Sequence, residues 1–199
     1  MSNSHSQMAA LDRRAFVRAL IDRCPEALVV AGLGSATYDV FAAGDRPQNF
    51  YLWGAMGGAA AIGLGLALAQ PARQVLVITG DGEQLMGIGA LATIGAQAPK
   101  NLTIVVLNNG HYGETGMQLS HTSLGTNLAG VARACGIADA FEANGMDVID
   151  RIATGLSQLS GPTLAQVAIQ AEEVPRALPS RDGVYIKNRF RAELGLAPL

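Results

Sequence analysis

At 199 residues the chain is long enough to bury one full core, and with 49% hydrophobic but only 5% aromatic residues that core is built from Ala, Val, Leu and Ile around 24 glycines. A net charge of −2 with no basic stripe argues against nucleic acid as the main partner. The two cysteines, Cys24 and Cys135, form no CxxC or metal pattern and read as reduced, buried thiols of a cytoplasmic protein.

In chain order, residues 1–10 are expected to be a flexible N-terminus, because the polar run MSNSHSQMA lacks the apolar centre of a signal peptide. Asp12 can cap an amphipathic helix to Arg23, with Phe16, Val17, Leu20 and Ile21 on one side. Ala27–Ala31 reads as a buried strand. It is followed by the turn Gly32-Leu33-Gly34-Ser35 and a helix to Ala42. The pair Gly32-x-Gly34 is not a dinucleotide fingerprint, since the third glycine position holds Thr37, but its amides can still face a phosphate. Phe50–Trp53 is a short strand and Gly57–Ala69 a Gly/Ala helix. The apolar run Gly54–Ala69 is only 16 residues, too short for a membrane span. Val75–Thr79 and Leu102–Leu107 are buried parallel strands, joined by a helix from Glu83 to Ala98 that ends at Pro99. His111–Gln118 begins a helix or loop. Then come a helix at Thr126–Cys135, a strand at Ala138–Phe141, a helix at Asp147–Leu159 and a last strand at Thr163–Ile169. The alternation predicts a single α/β domain over residues 11–174, a doubly wound parallel sheet with helices on both faces, and a C-terminal tail over 175–199 packing on that domain or on a partner.

Chemistry concentrates at the ends of the two strongest strands. Gly80-Asp81-Gly82 closes one and Asn108-Asn109-Gly110 closes the other, and ligands of open α/β sheets bind at those carboxyl ends. Glycines in a turn let backbone amides approach a phosphate, yet Asp81 in the same turn would repel it. A cation between them removes the conflict. Asp81 and an asparagine oxygen are hard ligands suited to Mg²⁺ or Ca²⁺, and Mg²⁺ completes its octahedron with phosphate and water. The residues therefore describe a metal–diphosphate site.

GDG, 25 intervening residues and then NN resembles the signature of thiamine diphosphate (TPP) enzymes. The resemblance implies TPP and Mg²⁺ as cofactors, with the metal held by Asp81, Asn109 and the main-chain carbonyl of His111. It places Gly34, Ser35, Gly80, Gly82, Glu83, Tyr112 and Gly113 around the cofactor. The segment Phe50–Gly58 resembles the family's grip on the aminopyrimidine ring. There the carbonyl of Gly54 would accept from the 4′-amino group, and Met56 would be the apolar wedge that bends the cofactor. The run after NN, together with NFYLWGAMGGAAAIGLGLALA, looks most like sulfopyruvate and phosphonopyruvate decarboxylases. That likeness makes Thr115, Gly116 and Gln118 substrate-side candidates, with Met56, Gln118 and His111 as the catalytic set. His111 and His121 are candidate proton carriers. Arg176, Arg181, Lys187, Arg189 and Arg191 form either a solvated face or a contact for a doubly charged substrate.

Enzymes of this kind pair the diphosphate domain with a pyrimidine domain that supplies an activating glutamate. Glu83 and Glu114 lie in the wrong half for that role. The resemblance therefore implies a β-type subunit of a 2-oxoacid decarboxylase working in a hetero-oligomer with an α-type, pyrimidine-domain partner, with neither nucleic acid nor membrane involved. Three other readings stay open on the sequence. They are a TPP carboligase or 2-oxoacid oxidoreductase subunit, a noncatalytic TPP-binding regulatory subunit, and a metal-dependent phosphate-binding domain unrelated to TPP.

Overall fold

A computed structural model describes residues 10–199. All but the last residue of the expected flexible N-terminus, 1–10, lies outside the described residues. The elements are α1 (Arg13–Arg23), β1 (Leu28–Ala31), α2 (Ser35–Ala43), β2 (Asn49–Tyr51), α3 (Ala59–Ala69), β3 (Val75–Gly80), α4 (Asp81–Met86), α5 (Ala90–Gln97), β4 (Leu102–Asn108), β5 (His111–Tyr112), β6 (Gln118–Leu119), α6 (Leu128–Ala134), β7 (Asp139–Ala143), α7 (Val148–Ser157), β8 (Thr163–Ala168) and α8 (Gly183–Glu193). Six strands form one parallel sheet in the order β2-β1-β3-β4-β8-β7, while β5 and β6 make a separate antiparallel hairpin. No helix among the described residues is long and apolar enough to cross a membrane.

The sheet has a core on each face, as a doubly wound arrangement requires. On one face α1, α2, α7 and α8 bury Phe16, Leu20, Val40, Ile152, Leu156 and Ile186 against alternate residues of the strands. On the other, α3, α5 and α6 bury Leu64, Leu91, Ile94 and Leu128. Each such side chain contributes about 1.5–3 kcal/mol by leaving water. From β1 the chain crosses outward to β2. It then returns past β1 to β3, so the winding reverses between β1 and β3. The ends of β1, β3 and β4 therefore open onto one crevice, the place where such sheets bind ligands.

Two expectations need correcting, and the tail holds an element that was not expected. The helix over Glu83–Ala98 is two helices, α4 and α5, broken at Gly87-Ile88-Gly89. Packing forces the break, since a Cβ at Gly87 would lie 2.0 Å from the carbonyl oxygen of Gly57. The segment after the asparagine pair is the hairpin β5–β6 around a 3₁₀ turn, Gly113–Thr115. The tail contains α8, whose cap Asp182 accepts from the amides of Val184 and Tyr185 and whose Ile186 and Phe190 are buried. Phe190 packs 5.4 Å from the ring of Phe50, and Arg189 donates to the Asn49 carbonyl at 2.9 Å, so α8 covers the β2 edge.

Candidate functional site

Asp81 begins α4 directly after β3 and is only 2% exposed. Its Oδ2 accepts from Ser120 Oγ at 2.5 Å and lies 2.9 Å from Thr122 Oγ1. Thr122 Oγ1 is also 2.8 Å from Asn108 Oδ1, so its one proton serves either acceptor in turn. Asp81 Oδ1 has no hydrogen-bond partner among the described residues, and the side chain lines a cavity. One carboxylate oxygen is thus fixed and the other is uncommitted.

Asn109 lies just past β4 and lines the same cavity. Its Oδ1 accepts from the amide of His111 at 2.9 Å, and His111 Nδ1 sits 2.7 Å from the Asn109 carbonyl oxygen. This small turn aims the asparagine. It depends on Gly110 at φ +71, where a Cβ would meet Ser123 Oγ at 2.2 Å. Asn108 serves structure instead, accepting from Thr122 and from the Gly110 amide.

Glu83 reaches the cavity floor but is 5% exposed. Its Oε2 accepts from Thr79 Oγ1 at 2.9 Å, and Oε1 has no hydrogen-bond partner among the described residues. Burial pushes its pKa up. The Thr79 hydroxyl and the nearby amides of Gly57, Leu33 and Ala59 oppose that rise. The carboxylate joins the turns after β1, β2 and β3 beneath the site. Gly32 is required for this, since a Cβ there would fall 1.9 Å from Glu83 Oε2.

Gly34, at φ +75, precedes α2, and no side chain caps that helix. The carboxylate of Glu114 lies over it. Ser35 Oγ donates to Glu114 Oε1 at 3.2 Å, and Arg176 stands 3.7 Å from Oε2. Met56, 36% exposed, also lines the cavity and sits between Ala55 at φ +56 and Gly57 at φ +90. A left-handed alanine costs about 1–2 kcal/mol, so this turn is strained to present Met56.

Ser35, Met56, Gly80, Asp81, Gly82 and Glu83 share one cavity with Asn109, His111, Tyr112 and Gly113. Thr115 lines it too. Gly34, Gly54, Gly116, Gln118 and His121 do not. Gln118 is exposed and bonded to Thr115, its Nε2 donating to the Thr115 carbonyl at 2.8 Å. His121 Nδ1 pairs with the Tyr112 hydroxyl at 2.8 Å beside the cavity. Of the tail's basic residues, Arg176 meets Glu114 and Arg189 bonds Asp45 at 2.7 Å. Sequence reasoning missed Ser120 and Thr122, whose role exists only once the chain folds back on Asp81, and Arg13, which lines the cavity from the first turn of α1.

Among the described residues no group of three or more His, Cys, Asp or Glu could hold a metal by itself. A site with one free carboxylate oxygen, an amide oxygen and a carbonyl suits Mg²⁺, which takes few protein ligands and relies on phosphate and water for the rest. The free Asp81 oxygen and the α2 terminus that shares its cavity, which has no side-chain cap among the described residues, thus fit a metal-bound diphosphate.

The family model for the thiamine pyrophosphate enzyme C-terminal TPP binding domain matches residues 32–170. The chain is similar to the phosphonopyruvate decarboxylase of Streptomyces viridochromogenes, 39% identical over 200 residues that cover 97% of this chain and 47% of that protein. It therefore spans about half the length of that relative. It is also similar to the sulfopyruvate decarboxylase subunit beta of Methanococcus maripaludis, 34% identical over 183 residues, 90% of this chain and 96% of that one. Among solved structures, the thiamine diphosphate-dependent 4-hydroxybenzoylformate decarboxylase of Rhodococcus jostii matches with a TM-score of 0.69 over 87% of this chain and 35% of that one; at 22% identity this is a likeness of fold.

Proposed function

The chain belongs to the thiamine pyrophosphate enzymes through their C-terminal TPP binding domain, and from that premise we propose that it is the β-type subunit of a 2-oxoacid decarboxylase, holding the magnesium–diphosphate half of the cofactor. The observation that carries the reading is the meeting of Asp81 and Asn109 in one cavity, with an Asp81 oxygen left uncommitted. Asp81, Asn109 and the carbonyl of His111 would hold Mg²⁺. The turns at Gly34-Ser35 and Gly80–Gly82 would receive the diphosphate. Gly54 and Met56 would shape the opposite end, with Met56 as the wedge. Bound TPP supplies an electron sink for the bond broken when a 2-oxoacid loses CO₂. The chain's own part is to fix the metal, orient the ligand and cover it with the hairpin from His111 to Leu119. The Tyr112–His121 pair holds a transferable proton beside the cavity.

The names of the relatives supply the substrate class: sulfopyruvate or phosphonopyruvate, 2-oxoacids with a second acid group. The activating glutamate would come from an α-type partner subunit. Both glutamates lining this cavity sit with the turns assigned to the diphosphate, Glu83 bonded to Thr79 and Glu114 to Ser35. The relative named as a beta subunit also matches this chain over 96% of its own length.

Calorimetric titration of TPP with Mg²⁺, into the chain alone and with its partner, tests the proposal. Binding should need Mg²⁺, tighten at least tenfold (about 1.4 kcal/mol) with the partner, and vanish in Asp81→Ala. TPP affinity retained in that variant would sink the assignment.

A further inference from the structure

Arg13 is the feature of this cavity that the family signature leaves unassigned. It opens α1, far in sequence from the GDG and NN motifs, and its side chain is 5% exposed. Its Nε lies 2.6 Å from Asp39 Oδ2, and neither Nη atom has a hydrogen-bond partner among the described residues. Arg14 Nε stands 3.5 Å from the other oxygen of Asp39, whose side chain is fully buried. Two guanidiniums therefore share one carboxylate, and the cluster keeps a net positive charge. Arg13 lines the main cavity together with Asp81, Asn109 and Gly113. It also lines the adjoining cavity, which Met56 does not share. Arg13 thus lies where the two cavities adjoin, in a part of the site that Met56 does not line.

Charge makes that placement consequential. Asp81, Glu83 and Glu114 all line the main cavity, and Arg13 is the only arginine or lysine among the described residues that does. A terminal phosphate carries roughly −1.5 to −2 charges at pH 7, and the inner phosphate of a diphosphate ester adds about one more. One divalent cation whose charge is partly cancelled by Asp81 leaves most of that unbalanced. A buried, pre-oriented guanidinium with free donors is the residue type suited to the remainder, because its planar fork matches phosphate oxygens. Arg176 is a poorer candidate, being 65% exposed at its side chain and turned toward Glu114.

We propose that Arg13, anchored through Asp39, binds the terminal phosphate of the diphosphate and sets this chain's preference for diphosphate over monophosphate esters of thiamine. The proposal rests on the TPP reading above. It is tested by calorimetric titration of thiamine, thiamine monophosphate and TPP, each with Mg²⁺, into the full chain with its partner subunit. The wild type should bind TPP at least tenfold tighter than thiamine monophosphate. Arg13→Gln should lose most of that preference and leave thiamine itself unaffected. Arg13→Lys, which keeps the charge without the fork, should fall between them. Removal of the buried pair together, in Arg13→Met/Asp39→Leu, avoids stranding Asp39 and should lose the same preference, which keeps the test open if Arg13→Gln folds poorly. A merely structural Arg13 would lower all three affinities alike and leave the ratio untouched, which overturns the proposal. A wild type that does not bind TPP in the complex defeats the TPP reading and this inference together.

Discussion

Asp81 is oriented by hydroxyls that lie about forty residues away in sequence, Ser120 at |i−j| 39 and Thr122 at |i−j| 41. Groups that hold a metal-binding carboxylate in place typically matter 10- to 100-fold in metal affinity. Thr122→Val should therefore weaken Mg²⁺-dependent TPP binding by about tenfold or more without unfolding the chain. Unchanged binding would mean that Ser120 alone suffices. Nothing in the run Ser120–Ser123 distinguishes it from an ordinary polar loop, so this support was not readable from sequence. The position of Asp81 was readable, because Gly80-Asp81-Gly82 and Asn108-Asn109-Gly110 each follow a buried apolar run and strand ends of one sheet face one crevice. Both cysteines were read as buried thiols; Cys135 is only half-buried, whereas Cys24 is 3% exposed. Burial pushes its pKa from 9.0 up to about 11. The folded state then keeps a proton that the unfolded chain gives up. The associated stability is fully present below pH 9 and is lost as pH rises toward 11, at about 1.4 kcal/mol per pH unit. Urea unfolding between pH 8 and 10.5 should show that decline, and Cys24→Ala should flatten it.

The break between α4 and α5 shows where pattern reading stops working at the scale of an element. Glu83–Ala98 has the length of one helix, and nothing in it reports that the backbone of Gly57 is packed against Gly87. The two interpretations differ in sign. Within a continuous helix, Gly87→Ala would stabilise by about 0.5–1 kcal/mol. Here the added Cβ lies 2.0 Å from the Gly57 carbonyl oxygen, so the variant should lose about 1–3 kcal/mol and melt several degrees lower. A raised Tm in Gly87→Ala would contradict the observed packing. α8 escaped notice for a different reason. Pro175 and Pro179 precede it, and only Ile186 and Phe190 on it are buried, too few to make an apolar stripe. The strands at Val75–Gly80 and Leu102–Asn108 were legible to within one residue, because a strand buried on both faces is a continuous apolar run.

Across the whole molecule, alternation of strand and helix was enough to establish a doubly wound sheet, and with it the rule that ligands gather at the strands' carboxyl ends. Strand order was not available from that pattern, and order is what brings the turn after β1 beside the turn after β3. The same order has a consequence for how the protein is made. Among the described residues β8 is the last strand, yet it lies between β4 and β7, and β7 pairs with no other strand. As the chain leaves the ribosome, Asp139–Ala143 emerges with no strand to join, and the outer edge of Leu102–Asn108 stays bare until Thr163–Ala168 follows it. That waiting edge reads LTIVVLN, an uncharged β-branched run of the kind that pairs with copies of itself. The opposite edge, β2, waits longer still, until α8 has been made. The nascent chain thus carries two open sheet margins until β8 and α8 have been made, and early engagement by a chaperone would protect the first of them until β8 closes it.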